Sequence, residues 1–164
     1  MPPRDSIQIC PAVKSDVPQI LTFIRALAEY EKLSHLCAAT EDGLVKTLFG
    51  SRAYAEVLIA RIGGIPVGFA LFFHNYSTFL AAPGIYLEDI FVLPQHRGKG
   101  VGKSLIVHIA KIAHERGCGR LDWAVLDWNE SAIRFYRQIG ADVMPDWRIC
   151  RMTAPEIATL ASGS

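Results

Sequence analysis

The stretch from Tyr86 to Ser104, YLEDIFVLPQHRGKGVGKS, narrows the choice of fold more than any other part of this chain. The run Tyr86 to Val92 is rich in aromatic and β-branched residues and reads as a strand. It passes through a turn at Pro94 into Arg97-Gly98-Lys99-Gly100-Val101-Gly102-Lys103. Val101, Leu105, Ile109, Ile112 and Ala113 then mark the apolar face of a helix, which Gly117 and Gly119 stop. A strand that enters a helix through glycines offers a row of backbone N–H groups at the helix N-terminus. Unpaired donors and the helix dipole together favour an anion there.

The remaining elements define the sheet that such a unit needs. Ile7, Ile9 and Val13 suggest a first strand, ended near Pro11. Ser15-Asp16 caps a helix with Pro18 in its first turn, and apolar residues recur at helical spacing to about Lys32. A shorter helix runs from Thr40, its cap, to Phe49. Ala55 to Ile62 and Ile65 to Tyr76 form a hairpin around Gly63-Gly64. A loop covers Ser77 to Pro83, and Ile85 to Val92 is the next strand. Arg120 to Leu126 reads as a strand, Asn129 to Ile139 as a helix, and Val143 with Ile149 to Met152 as a last strand pair. Residues 155–161 suggest a terminal helix, with Ser162-Gly163-Ser164 fraying. This order predicts an α/β (α+β) protein: a mixed, mostly antiparallel sheet with helices on both faces. The 164 residues, free of repeats, low-complexity tracts and linkers, suit one domain, 1–164.

Charge and cysteine usage exclude several functions. A net charge of +1, with scattered basic residues, argues against a nucleic-acid partner. Cys10, Cys37, Cys118 and Cys150 make no C-x-x-C pair and no zinc-ligand spacing, so buried free thiols in a reducing compartment are expected. The opening Met-Pro-Pro-Arg-Asp lacks an apolar signal segment, and no run approaches the roughly 18 apolar residues of a membrane span. A cytoplasmic protein without a membrane partner is expected. His74, His96, His108 and His114 are dispersed, and His108 and His114 stand six apart rather than at the spacing that shares a helix face, so no metal is expected.

Several phosphate loops use glycines. Gly102-Lys103-Ser104 matches the end of the nucleotide P-loop, but Arg97 stands where its first glycine belongs. The dinucleotide fingerprint G-x-G-x-x-G started at Gly98 meets Lys103, and started at Gly100 meets Leu105. A ligand-free turn is the plain alternative. Alternate glycines weaken a helix start, however, so a compensating contact is expected.

The remaining pattern, Arg97-x-x-Gly100-x-Gly102 between strand and helix, resembles the acetyl-CoA loop of the GCN5-related N-acetyltransferase (GNAT) superfamily. Tyr86 to Val92, Val67-Gly68-Phe69-Ala70, Leu27-Ala28-Glu29-Tyr30-Glu31, Trp147-Arg148 and Asn129-Glu130-Ser131-Ala132-Ile133-Arg134-Phe135-Tyr136 resemble its diamine (spermidine/spermine and thialysine) acetyltransferase family. Asn75 to Phe79 and Ala124 to Asn129 resemble the thialysine branch more closely, and Ser77 stands where the polyamine branch has an acidic residue. The likeness runs from about residue 7 to 152.

The resemblance implies central strands splayed around coenzyme A. Contacts are implied at Ile90, Phe91 and Val92, at Arg97, Gly98, Lys99, Gly100, Val101, Gly102 and Lys103, and at Asn129, Glu130, Ser131 and Ala132. Acetyl transfer to an amine requires the thioester to be held, the amine deprotonated, the oxyanion stabilised and the thiolate protonated. The likeness puts the Tyr136 hydroxyl near the CoA sulfur as general acid, and phenols are protonated at neutral pH. A plain aromatic on an amphipathic helix is the alternative for Tyr136. Glu88 is the candidate base, acting directly or through water. Strand alternation puts Glu88 and Asp89 on opposite faces, one of them toward the amine. A solvated carboxylate pair is the alternative there. Tyr30, Glu31 and the segment Asp122-Trp123-Ala124 match substrate-side positions.

The expected activity is acetyl-CoA-dependent N-acetylation of a small primary amine, thialysine-like or diamine-like. Direct attack is expected, because no cysteine sits in the matched active region and Cys118 falls at a helix end. A protein or peptide amine is the rival acceptor, and an acetyl-CoA-binding module without turnover is the rival of another class. A homodimer is implied by resemblance.

Overall fold

Gly63 and Gly64 turn one long apolar segment back on itself, and the sheet grows from that hairpin. The computed structural model describes residues 6–163; the Met1–Asp5 opening and Ser164 of the expected fraying end lie outside them. Along the chain run β1 (Ile7–Pro11), α1 (Val17–Tyr30), α2 (Glu41–Leu48), β2 (Glu56–Ile62), β3 (Ile65–Ser77), β4 (Ala82–Val92), α3 (Val101–Glu115), β5 (Leu121–Trp123), α4 (Glu130–Gln138) and α5 (Ala154–Ala161). The described residues cluster into two compact units, divided between Ala124 and Val125.

The first unit holds a five-stranded sheet in the order β1-β2-β3-β4-β5. β1 to β4 pair antiparallel and β5 joins β4 in parallel, which makes the sheet mixed and mostly antiparallel. Two irregularities bend it. Ala60 pairs with Gly68 while Arg61 pairs with Pro66, so Val67 is an extra residue in β3. Leu71 pairs with Asp89 while Phe72 pairs with Leu87, so Glu88 is an extra residue in β4. The β4–β5 ladder covers only Ile85 to Leu87 against Leu121 to Trp123. Glu88 to Val92 therefore continue with β3 as their one ladder partner among the described residues.

Helices cover both faces. On one, Ile20 and Phe23 of α1 and Leu48 of α2 pack on Val57, Ile59, Phe69 and Phe91, with the Phe23 and Phe69 rings stacked 5.5 Å apart. The intervening Leu58, Ala60 and Ala70 are also buried and point the other way, where α3 packs on β1 to β4 through Val101, Leu105, Ile106 and Ile109. Thr40 caps α2, its hydroxyl accepting from the Gly43 N–H at 3.1 Å. α1 ends in a Schellman turn: the Leu33 amide reaches the Ala28 carbonyl and the Lys32 amide that of Glu29, with Lys32 at φ 62° in the left-handed region that glycine usually fills. That turn leaves Tyr30 and Glu31 at the exposed end of the helix.

Several expectations need correction. Asp16 starts α1, yet its carboxylate caps no helix amide; it accepts from the Val13 N–H at 2.9 Å and from Arg61 at 2.6 Å. The loop expected over Ser77 to Pro83 is shorter, because β3 runs to Ser77 and β4 starts at Ala82. The strand expected from Arg120 to Leu126 is confined to Leu121–Trp123. No strand forms at Val143 or Ile149 to Met152; Val143, Ile149 and Met152 are exposed. The thiols are free but not buried: Cys10, on the edge strand β1, and Cys150 are exposed, and Cys37 and Cys118 are partly so. Among the described residues no helix is long and apolar enough to cross a membrane, and no three His, Cys, Asp or Glu side chains gather as metal ligands.

Candidate active site

Conformation dictates the glycines of the loop. Gly98 has φ 72° and Gly100, the residue before α3, has φ 85°; an L side chain is strained in both places. A Cβ built on either would meet no atom within 4 Å, so both border open space. The first helical bond of α3 runs from the Ser104 N–H to the Gly100 carbonyl at 2.9 Å. The amides of Gly98, Lys99, Gly100, Val101, Gly102 and Lys103 donate to no backbone acceptor among the described residues. Six orphan donors beside empty space at a helix N-terminus form an anion cradle.

The loop begins at Arg97, whose Nε donates to the Val92 carbonyl at 2.9 Å. Of the strand residues expected to face pantetheine, Val92 thus has its carbonyl engaged within the protein. Ile90 and Phe91 lie in the part of β4 that has left β5 behind. The Arg97 guanidinium stacks on the rings of Tyr30, at 4.5 Å, and Phe91, at 5.4 Å.

Carboxylates gather where α1 ends and β4 bulges. Glu88 is the bulged residue and is exposed. Asp89 is withdrawn from solvent, and burial, then the charges of Glu88 and Glu31, push its carboxyl up to about 6. Burial also pushes the Glu31 carboxyl up. Strand alternation alone would put Glu88 and Asp89 on opposite faces; the bulge interrupts that alternation at Glu88, whose charge acts on Asp89. Sequence reasoning chose Glu88 and passed over Asp89 as a titrating group. The adjacent acids were visible, but the burial of Asp89 beside the bulge was not.

Asp122, in register with Tyr86, is already partnered: Arg120 lies 2.7 Å from its Oδ2 and Asn75 donates to it at 3.1 Å. Gly84 permits this arrangement, since a Cβ there would stand 2.3 Å from Asn75 Oδ1. Trp123 ends β5 partly buried, and Ala124 is exposed beyond it. Of the expected substrate segment, Asp122 is thus engaged by Arg120 and Asn75 within the protein.

In the second unit, Asn129 Oδ1 caps α4, accepting from the Ala132 N–H at 3.3 Å and from the Ser131 hydroxyl at 3.2 Å. Glu130 pairs with Arg134 one turn on, at 3.7 Å. Tyr136 is the unit's one buried side chain among the described residues, its ring 5.5 Å from that of Phe135.

The model of the Acetyltransferase (GNAT) family matches residues 23–141, which takes in β2 to β5, the loop and α4. The chain belongs to the GNAT acetyltransferase family. It is 40% identical over 144 residues to a thialysine N-epsilon-acetyltransferase of Mus musculus, covering 83% of this chain and 84% of the relative. It is 36% identical to an L-ornithine N5-acetyltransferase of Arabidopsis thaliana, covering 91% and 85%. Among solved structures, an integron cassette protein from the mobile metagenome of V. cholerae superposes with a TM-score of 0.79 at 28% identity, over 95% of this chain and 98% of that one.

The protein is thus an acetyl-CoA-dependent N-acetyltransferase with the GNAT fold. The orphan amides of residues 98–103 and the open space beside Gly98 and Gly100 fit a coenzyme A pyrophosphate. The unpaired edge of β4 suits an extended pantetheine arm.

Proposed function

We propose that this GNAT enzyme acetylates a small primary amine that carries a second polar or cationic group, as thialysine, ornithine and diamines do, with both units acting as one domain. The observation that carries this reading is the coupled set of Glu31, Glu88 and Asp89 at the end of α1 and the bulge of β4. Three neighbouring carboxylates attract a cationic amine. They also provide a group near pKa 6 that is ionised at neutral pH and accepts a proton from the reacting ammonium. The names of the relatives in mouse and Arabidopsis, which specify side-chain amines, support it.

Acetyl-CoA supplies an acetyl group activated as a thioester. The loop amides of Gly98 to Lys103 bind its pyrophosphate, and Arg97 orders the loop. Asn129 to Ala132 open the helix that carries Tyr136. Glu88 and Asp89 take the amine's proton as one titrating pair, directly or through water. One N–H on the free edge of β4, within Ile90 to Val92, stabilises the oxyanion, a role worth roughly 3 kcal/mol of barrier. Tyr136 returns a proton to the leaving thiolate. The acceptor attacks directly, since Cys118 falls beyond the C-terminus of α3. The exposed apolar side chains of the second unit support a homodimer.

A screen of thialysine, ornithine, spermidine, lysine and a lysine-containing peptide, read by CoA release, tests the substrate class. The small amines are expected to lead; a dominant peptide signal would assign the site to protein acceptors. Tyr136→Phe is expected to lower kcat about 10²- to 10⁴-fold while CoA binding persists. Full activity of that variant across pH 7–9 would remove Tyr136 from the reaction. CoA binding without turnover of any amine would favour the regulatory-module reading.

A further inference from the structure

Arg97 joins three parts of the first unit. Its backbone opens the glycine loop, its Nε donates to the end of β4 at Val92, and its guanidinium carbon lies over the ring of Tyr30, the last residue of α1. The stack on Phe91, itself buried, holds the same group from a second ring. Although Glu31 follows Tyr30 and Asp89 is coupled to Glu31, Arg97 makes no ion pair with Glu31, Glu88 or Asp89 among the described residues. Its guanidinium carbon lies over both rings, and among the described residues its Nη hydrogens have no protein acceptor. A planar guanidinium can stack by its face and donate by its edge at the same time, which an ammonium cannot.

We propose that Arg97 couples occupancy of the glycine loop to the order of the amine site through its stack on Tyr30. The inference rests on reading residues 98–103 as the pyrophosphate cradle and Tyr30, Glu31 and Asp89 as the amine side. An anion in the cradle takes the edge hydrogens of Arg97 and fixes its rotamer. The fixed guanidinium holds the Tyr30 ring, and with it the last turn of α1. That turn closes on Lys32 in a left-handed conformation that an L residue adopts at a cost, so an outside contact has leverage over its order. The amine then meets carboxylates already in place. By linkage the amine tightens coenzyme A binding by the same factor. Arg97 is a positioning residue for the amine in addition to ordering the loop.

The test uses the full chain and coenzyme A as probe. Hydrogen exchange across residues 26–34 should slow about two- to fivefold on saturation with CoA, the factor that corresponds to an exposed cation–π contact. In Tyr30→Leu this slowing should vanish while CoA still binds; Tyr30→Phe, which keeps the ring, should restore it. Arg97→Lys should bind CoA more weakly and show no slowing. In a second arm, the calorimetric affinity for thialysine should rise by a similar factor with CoA present in the unaltered protein and in Tyr30→Phe, and stay constant in Tyr30→Leu. A purely structural Tyr30 would lower the melting temperature and loosen both ligands while leaving their mutual effect intact, and that result overturns the proposal. Equal slowing in Tyr30→Leu and the unaltered protein overturns it as well, as does the absence of slowing in the unaltered protein. Failure of the unaltered protein to bind CoA at all would instead overturn the cradle reading on which it rests.

Discussion

Asp89 carries two pH dependences of opposite sense. Its carboxyl sits near 6 in the folded protein against an ordinary 3.8, so an unfolded chain releases this proton first as pH rises. The stability tied to it is fully present below pH 3.8 and is lost as pH climbs through about 6. Under the proposed mechanism activity runs the other way, because the amine's proton needs an ionised acceptor. Asp89→Asn should therefore flatten denaturation midpoints between those two pH values, gaining on the order of 1–2 kcal/mol at pH 7. It should also abolish the acidic limb of the rate profile together with most of kcat. Glu88→Gln removes one repelling charge and should shift that limb to lower pH. Urea titrations at pH 4 and pH 7, with kcat/KM profiles of the three proteins, check both signs; an unaltered acidic limb in Asp89→Asn would dismiss the residue from proton transfer. Strand alternation separates Glu88 from Asp89 in the sequence, and the pattern there favours Glu88 as the base. What distinguishes them is one unpaired bulge position, which depends on the register of β3 and leaves no local mark in the residues.

At the scale of elements, the loop and the helix it opens were legible because their chemistry is local. Left-handed backbone at residues 98 and 100 demands glycine, and helical periodicity begins immediately after. The Thr40 cap and the Gly63-Gly64 hairpin were readable for the same reason. Strands whose limits depend on distant partners were not. Arg120 to Leu126 looked continuous, yet only the part facing Ile85 to Leu87 is paired. Early loss of the β4–β5 ladder, which no residue of β4 announces, leaves the edge on which the proposed pantetheine contacts depend. Gly100 provides the sharpest element-level test. Gly100→Ala places a Cβ at φ 85°, where an L residue costs about 1–2 kcal/mol per position, in otherwise open space. The protein should remain folded, with a melting temperature lowered by a few degrees. The misdirected amides of the first turn of α3 should weaken CoA about tenfold, roughly the same energy expressed in binding. Calorimetry with CoA and thermal unfolding decide it: unchanged CoA affinity would show that the cradle does not hold the pyrophosphate.

At the scale of the whole molecule, the apolar residues that made Val143 to Met152 read as strands remain without a ladder. Val143, Met144, Trp147, Ile149 and Met152 are exposed, Trp147 at 76%, and so are Ile157 and Leu160 of α5. Periodicity in sequence reports that a segment has an apolar side to bury; it does not report whether the surface that buries it belongs to the same chain. Single exposed apolar residues are ordinary, whereas seven within twenty residues suggest an association surface. A second copy is the partner in keeping with the proposed homodimer, since self-association is the commonest way a small enzyme buries such a surface. Light scattering should accordingly give twice the mass of one chain at micromolar concentration. Trp147→Ser with Ile149→Ser should shift the mass toward that of the monomer, and the shift should reverse as protein concentration rises. These substitutions lie outside the loop and the carboxylate set, so monomers should still bind CoA within about twofold; a larger loss would mean that the partner helps to build the cradle. A mass of one chain at every concentration for the unaltered protein would instead assign the exposed apolar residues to a different partner.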